Sequence, residues 1–204
     1  MLKRGLLIAL ILVAILSSCG QKGSSRDIKA KLSAIKSYEA EIEITVYGDS
    51  SNTQYTAKQY CVYPDKLRLE IEKPSFLMGQ VILYNSGKLT IYHPSIDMET
   101  TVDGVKEEQD YINAGFLLKS IGEVKKSDYI YRTVDGIEYL VIKASVPRGN
   151  SYRTHAEVYF ERLGGTPAFM NIMDSDGRLR THIKYIKFRY NPVIKEDMFT
   201  TVRK

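Results

Sequence analysis

Tryptophan is absent from this chain, and histidine and cysteine are nearly so, with three and two residues among 204. The scarcity of histidine removes most metal chemistry. His93, His155 and His182 share no ligand spacing, no HExxH segment occurs, and Cys19 and Cys61 stand too far apart to act as a pair. A zinc site takes three or four protein ligands. No apolar run reaches the ~20 residues that span a bilayer, so a permanent transmembrane helix is not expected. A Gly-x-Ser-x-Gly elbow, a Walker loop and a dinucleotide fingerprint are also missing. These absences exclude the common catalytic constellations: the chain is expected not to be an enzyme, with no catalytic or metal-ligating residues and no cofactor.

What is present begins at the N-terminus. Lys3 and Arg4 precede an almost wholly apolar stretch from Leu6 to Leu16, followed by Leu16-Ser17-Ser18-Cys19. A basic opening, a short apolar run and small residues before a cysteine make a bacterial lipobox. Cleavage is expected before Cys19, with diacylglycerol joined to its sulfur as a thioether. An ordinary secretory signal cut near Ser18 is the rival reading. Each buried methylene of such an anchor contributes ~0.8 kcal/mol, and two or more chains hold stably where one is marginal. The expected organisation is a signal peptide at 1–18, a lipidated cysteine with a flexible glycine/serine-rich linker at 19–27, and one domain at 28–204. The mature protein would then sit on the extracytoplasmic face of a membrane. Cys61 would be the only thiol left, which rules out an internal disulfide and makes packing the source of stability. In the strand-like stretch Gln59–Tyr63 it reads as a buried, inert residue.

Composition is that of a globular domain, 44% hydrophobic and 26% charged, and without residues 1–18 the chain keeps 186 residues, enough for a real core. The formal charge of +5 includes Lys3 and Arg4, so the mature value is +3. Twenty-four acidic residues accompany that mild excess, which reads as a mixed solvated surface and not as a nucleic-acid footprint.

Periodicity predicts a helix over 27–37, with Ile28, Leu32 and Ile35 on one side. From Tyr38 the period falls to two: Tyr38, Ala40, Ile42, Ile44 and Val46 face one way and Glu39, Glu41, Glu43 and Thr45 the other. Further strands are expected over 53–63, 67–71, 80–84 and 89–93. In the third, Arg68, Glu70 and Glu72 should face solvent. A second helix is expected over 107–121, ended by Gly122. Strands resume over 129–133, 137–145, 152–161, 168–174 and 179–188, with hairpin turns at Asn85–Lys88, Asp135-Gly136, Gly164-Gly165 and Asp176-Gly177. The last strand switches its apolar face from Ile183 and Tyr185 to Ile186 and Phe188, which predicts a bulge or strong curvature. The fold class is therefore α+β, mainly antiparallel β, with a few helices over a large sheet. Phe76-Leu77-Met78 breaks strand alternation, and with Phe116 and Leu117 it is a candidate lining for an apolar cavity; completing the core is the alternative role. Fifteen tyrosines suit interfaces.

Tyr38-x-Ala40, Tyr63-Pro64-Asp65-Lys66-Leu67-Arg68, Tyr84-Asn85-Ser86-Gly87-Lys88-Leu89-Thr90-Ile91-Tyr92-His93-Pro94, Asp174-x-Asp176-Gly177 and Asn191-Pro192-x-Ile194 with Phe199 resemble the LolA/LolB-like lipoprotein superfamily over nearly all of the mature chain. The resemblance implies a curved, unclosed antiparallel half-barrel with helices covering its concave face. Two branches compete for function. Carriers and receptors hold acyl chains of lipids or lipoproteins in the concavity. The germination lipoproteins of clostridia, the GerS type, which this chain resembles most in size, lipobox and composition, are non-enzymatic. They partner a cell-wall N-acetylmuramoyl-L-alanine amidase of the CwlD type in making the muramic-δ-lactam of spore cortex peptidoglycan. That resemblance implies an amidase partner and a place at the outer forespore membrane. A homodimer through an exposed sheet edge is left open.

Overall fold

The computed structural model describes residues 25–105, 118, 129–146, 149–162, 164–200 and 202. Helix α1 (Ser25–Ser33) is followed by strands β1 (Ser37–Tyr47), β2 (Asn52–Val62), β3 (Lys66–Lys73), β4 (Val81–Asn85), β5 (Lys88–His93) and β6 (Met98–Val102). After residues 103–128 come β7 (Tyr129–Val134), β8 (Ile137–Ser145), β9 (His155–Glu161), β10 (Pro167–Met173) and β11 (Leu179–Tyr190). Among the described residues these eleven strands form one antiparallel sheet in the order β6-β5-β4-β3-β2-β1-β11-β10-β9-β8-β7. Two meanders, β1–β6 and β7–β11, thus share a central seam where β1 lies against β11. The sheet is curved and unclosed, with β6 and β7 as its edges. This is the half-barrel expected from the sequence.

Helix α1 and the residues just after it bury Ile28, Leu32 and Ile35 almost completely, while Lys31 and Ser33 face solvent. The helix packs on the inner face of the sheet, in one core with Tyr38, Ala40 and Ile42 of β1, Cys61 of β2 and Leu67 of β3. Burying each such large side chain contributes about 1.5–3 kcal/mol. The helix ends four residues short of its expected limit because Ser37 already pairs with Val62 in the sheet. Of the helix expected over 107–121, only Leu118 is described; it is helical and fully buried.

Strand β1 alternates as expected. Its outer-face glutamates meet cations across the seam: Glu39 pairs with Arg189, Glu41 with Lys187 at 2.9 Å and Glu43 with Lys184 at 3.9 Å. Exposed pairs of this kind contribute about 0–1 kcal/mol each, so they favour one register more than they add stability. The face switch in β11 is a bulge. Glu41 pairs with Lys187 but Ile42 pairs with Tyr185, which leaves Ile186 as the extra residue, exposed, while Phe188 returns to the inner face and stacks on Tyr38 at 5.1 Å. Two expected hairpin turns carry left-handed residues in both central positions, Ser86-Gly87 (φ 49° and 86°) and Asp135-Gly136 (49° and 76°), as a type I′ turn requires.

Three expectations are corrected. Strand β6 is absent from the sequence-based reading, because Met98–Val102 is exposed along its length and an edge strand needs no apolar face. Strand β9 begins at His155, not Tyr152, since the chain turns over 149–154. Arg68 and Glu70 are buried, not exposed. The C-terminal segment crosses the outer face of β3 and β4 with a 3-10 turn (Glu196–Phe199) and seals Phe199 and Val202 against Val81 and Leu83. Beneath it Arg68 Nε donates to Glu70 Oε1 (2.7 Å) and Nη1 to the Met198 carbonyl (3.1 Å), and Asn85 Nδ2 donates to the Phe199 carbonyl (3.0 Å).

Candidate functional site

Several sequence-derived candidates, Leu16, Ser17, Ser18, Cys19, Phe116 and Leu117, lie outside the described residues. Phe76, Leu77 and Met78 occupy a 3-10 turn (Ser75–Leu77) and its exit between β3 and β4. Successive residues there point about 120° apart, so the triplet divides. Leu77 packs on the inner core, whereas Phe76 and Met78 are 71% and 59% exposed. Met78 rims two open grooves, of about 630 Å³ beside Ile44, Tyr55 and Pro74 and about 570 Å³ beside Ile71, Val81 and Tyr92. Ile28, Leu32, Leu118, Leu140 and Phe160 are all buried in the inner core.

The three histidines are apart in role. Gln80 Nε2 lies 3.3 Å from His93, and His182 Nδ1 donates to Asn171 Oδ1 at 2.7 Å, while His155 opens β9. Among the described residues no group of three or more His, Cys, Asp or Glu converges as a metal site. Cys61 is fully buried between Tyr38 and Leu67 on the neighbouring strands.

A different surface stands out by its construction. In β8 Leu140 and Ile142 enter the inner core, so Ile137, Tyr139, Val141 and Lys143 point outward by alternation. Pairing puts Arg132 of β7, Glu157 and Tyr159 of β9, Phe169 and Asn171 of β10, and His182 and Lys184 of β11 on the same outer face. Glu157 is the hub. Its carboxylate accepts from Arg132 Nη1, Lys143 Nζ and Tyr159 OH, each at 2.8 Å, and its side chain is 8% exposed. Burial alone would raise its pKa, but the bonds from Lys143, Tyr159 and Arg132 outweigh burial and hold it below the usual carboxylate range. Around the hub the rings lock together. Tyr159 stacks on Phe169 at 4.1 Å, Tyr139 meets both edge-on at 6.0 and 5.3 Å, His182 lies 5.5 Å from Phe169, and the Arg132 guanidinium sits 5.6 Å from the Tyr159 centroid. Burial, and then the nearby Lys184 charge, lowers the His182 pKa and favours the neutral ring.

The face holds no nucleophile beside a general base. It is instead a rigid patch of rings, aliphatic side chains and cations, and among the described residues no helix or turn covers it. Sequence reasoning missed it, yet a signal existed. Tyr139–Ile142 and Val158–Phe160 are apolar without alternation, which marks strands buried on both sides.

The family model for YdcC-like sporulation proteins matches residues 3–199. Sporulation protein YdcC of Bacillus subtilis (strain 168) is 24% identical over 202 residues, 95% of this chain and 58% of its own length; the chain thus spans under two thirds of that curated relative. Among solved structures, an uncharacterized conserved protein from Thermus thermophilus is similar at a TM-score of 0.54 and 12% identity, over 87% of this chain and 93% of that one. A chain of the complex between the CwlD amidase of Clostridioides difficile and the GerS lipoprotein is similar at 0.51 and 23% identity, over 81% and 93%. At these identities the two structures show a shared fold and nothing finer.

Proposed function

We infer a role from the premise that this chain belongs to the YdcC-like sporulation protein family: it is a non-enzymatic, lipid-anchored partner protein that binds and activates a cell-wall N-acetylmuramoyl-L-alanine amidase during spore formation. The observation that carries this reading is the family match across residues 3–199. It is supported by fold similarity to a chain of the CwlD–GerS complex.

In this reading diacylglycerol on Cys19 holds the domain on the extracytoplasmic side of a membrane, the outer forespore membrane in a spore former. The linker after Cys19 gives the domain reach, and the sheet supplies a stable surface for the amidase. Among the described residues no helix is long and apolar enough to cross a membrane. The test is affinity recovery of the tagged chain from sporulating cells, followed by native mass spectrometry and an assay of amide cleavage in peptidoglycan. The expected result is a co-purifying amidase whose activity rises with this protein, and no bound lipid beyond the anchor. A bound phospholipid or acylated peptide, with no amidase, would establish the carrier reading instead.

A further inference from the structure

We propose that the edge strand β6 pairs with an extended segment of this chain's protein partner, one that sets a basic side chain beside Glu99 and apolar side chains beside Met98 and Val102. The inference deepens the partner reading above and rests on it. Among the described residues β6 closes one side of the sheet and pairs only with β5. Backbone geometry identifies which of its groups are left over. Asn85 and Lys88 flank the two-residue turn Ser86-Gly87, so they form a hydrogen-bonded pair, and such pairs alternate with non-bonded ones along an antiparallel ladder. Leu83 and Thr90, paired two steps further on, are therefore bonded to each other, and Thr90 turns its N–H and C=O toward β4. Opposite Thr90 stands Thr101, whose N–H and C=O then face away from the sheet, as do those of Glu99 two residues earlier. Met98, Thr100 and Val102 direct theirs to β5.

The strand lacks the devices that usually guard such an edge. Met98–Val102 contains no proline and no lysine, keeps an unbroken register with β5 and is exposed at all five positions. Its side chains give the edge two different sides. Glu99 and Thr101 lie on the outer face with Tyr92 and Thr90, their neighbours on β5, and Tyr92 packs in the outer cluster. Met98, Thr100 and Val102 lie on the inner side, where Ile91 and Leu89 of β5 join the inner core; Met98 and Val102 are 46% and 50% exposed. A strand added here takes its affinity from the backbone and its specificity from alternate side chains.

Charge selects the occupant. Residues 94–105 carry Asp97, Glu99 and Asp103 and neither lysine nor arginine. Asp97 accepts from Tyr92 OH at 3.1 Å, and Lys88, one step beyond the Leu89–Val102 pair, stands opposite Asp103. Glu99, exposed on the free edge, faces Tyr92 across its pair and not a cation. An opposite charge directly across an antiparallel pair is favourable and a like charge is not, which favours a basic strand. A second copy of this chain fits worse: β6 set antiparallel on itself about Thr100 brings each Asp97 against the other copy's Asp103.

The experiment measures binding of a purified CwlD-type amidase from the same organism to the mature full-length chain, with backbone amide exchange followed residue by residue. Glu99 and Thr101 are expected to exchange fast in the free chain and at least about tenfold more slowly in the complex. Thr101→Pro deletes an outward N–H and leaves the bonds to β5 in place. Glu99→Lys reverses the charge at an exposed position, and circular dichroism checks that both variants fold. Each is expected to weaken binding about tenfold, Glu99→Lys less so at high salt, while Val193→Glu, 99% exposed in the C-terminal segment, leaves it unchanged. Unslowed exchange at Glu99 and Thr101 in the complex, or full binding by Thr101→Pro, would overturn the strand pairing and leave the partner reading standing. Full binding by Glu99→Lys would overturn the basic segment. A free chain that is already a dimer with β6 protected would give the edge to a second copy and overturn this inference. No binding by the wild type would overturn the partner reading, and this inference with it.

Discussion

Replacing Arg68 with leucine removes the bonds from Nε to Glu70 Oε1 at 2.7 Å and from Nη1 to the Met198 carbonyl at 3.1 Å. The site is closed, with side-chain exposures of 3% for Arg68 and 11% for Glu70. Arg68→Leu therefore takes the guanidinium away from a nearly buried carboxylate under the C-terminal segment, and breaking a buried pair from one side costs about 3–5 kcal/mol. In a domain of this size each kcal/mol lowers Tm by about 2–4 °C, so the expected fall is about 6–20 °C. The double variant Arg68→Leu/Glu70→Leu replaces the pair with apolar side chains beside Leu83 and Val81, their cross-strand neighbours on β4. It should lie within about 1–2 kcal/mol of wild type, the remainder being mainly the lost bond to Met198. Urea unfolding of the soluble chain lacking residues 1–19, followed by far-ultraviolet dichroism, gives all three free energies. A single variant that loses less than about 1 kcal/mol, or a double variant as unstable as the single, would refute the view that a desolvated ion pair fastens the C-terminal segment.

Glu157 gives a pH prediction. Its folded pKa is depressed, so its contribution is complete above the unfolded carboxylate value of about 4.3 and is lost as pH falls through the lower folded value. The urea-midpoint gap between wild type and Glu157→Gln should close as pH drops below about 4.3; a gap that stays constant down to pH of about 3 would contradict this. Leu32→Ala should cost about 2–5 kcal/mol and Phe76→Ser less than about 0.5, since the first is 0% and the second 71% exposed; comparable losses in thermal melts would count against the assigned burial. Cys19→Ala should abolish incorporation of a clickable fatty acid, because no other residue of the lipobox can form the thioether, and label retained by the variant would refute the anchor.

Sequence reveals what is local and hides what depends on distant partners. The alternation of β1 is legible, and so is the disturbance at Ile186, because the pattern itself slips by one residue there. That Glu39, Glu41 and Glu43 meet Arg189, Lys187 and Lys184 is not, since the register across the seam joins residues about 150 apart. Arg68 and Glu70 look like solvent-facing residues, for nothing near them announces the segment around Phe199 that covers them. Strand β6 is invisible to any apolar pattern, and it is specified by pairing with β5. The aromatic face is hidden for another reason: Tyr139, Tyr159 and Phe169 pass for ordinary strand residues, although their strands are apolar on both sides.

The seam between β1 and β11 has a consequence for the order of events in the life of the chain. Glu41 and Lys187 are 146 residues apart, and bringing such distant segments together costs about 3 kcal/mol more entropy than closing a hairpin. Until β11 has been made, β1 presents a bare row of backbone donors and acceptors, and the sheet exists at most as half of itself. For a chain threaded through a membrane from its N-terminus, this postpones folding: the nascent polypeptide stays slack and threadable, and it locks only when its last strand arrives on the far side.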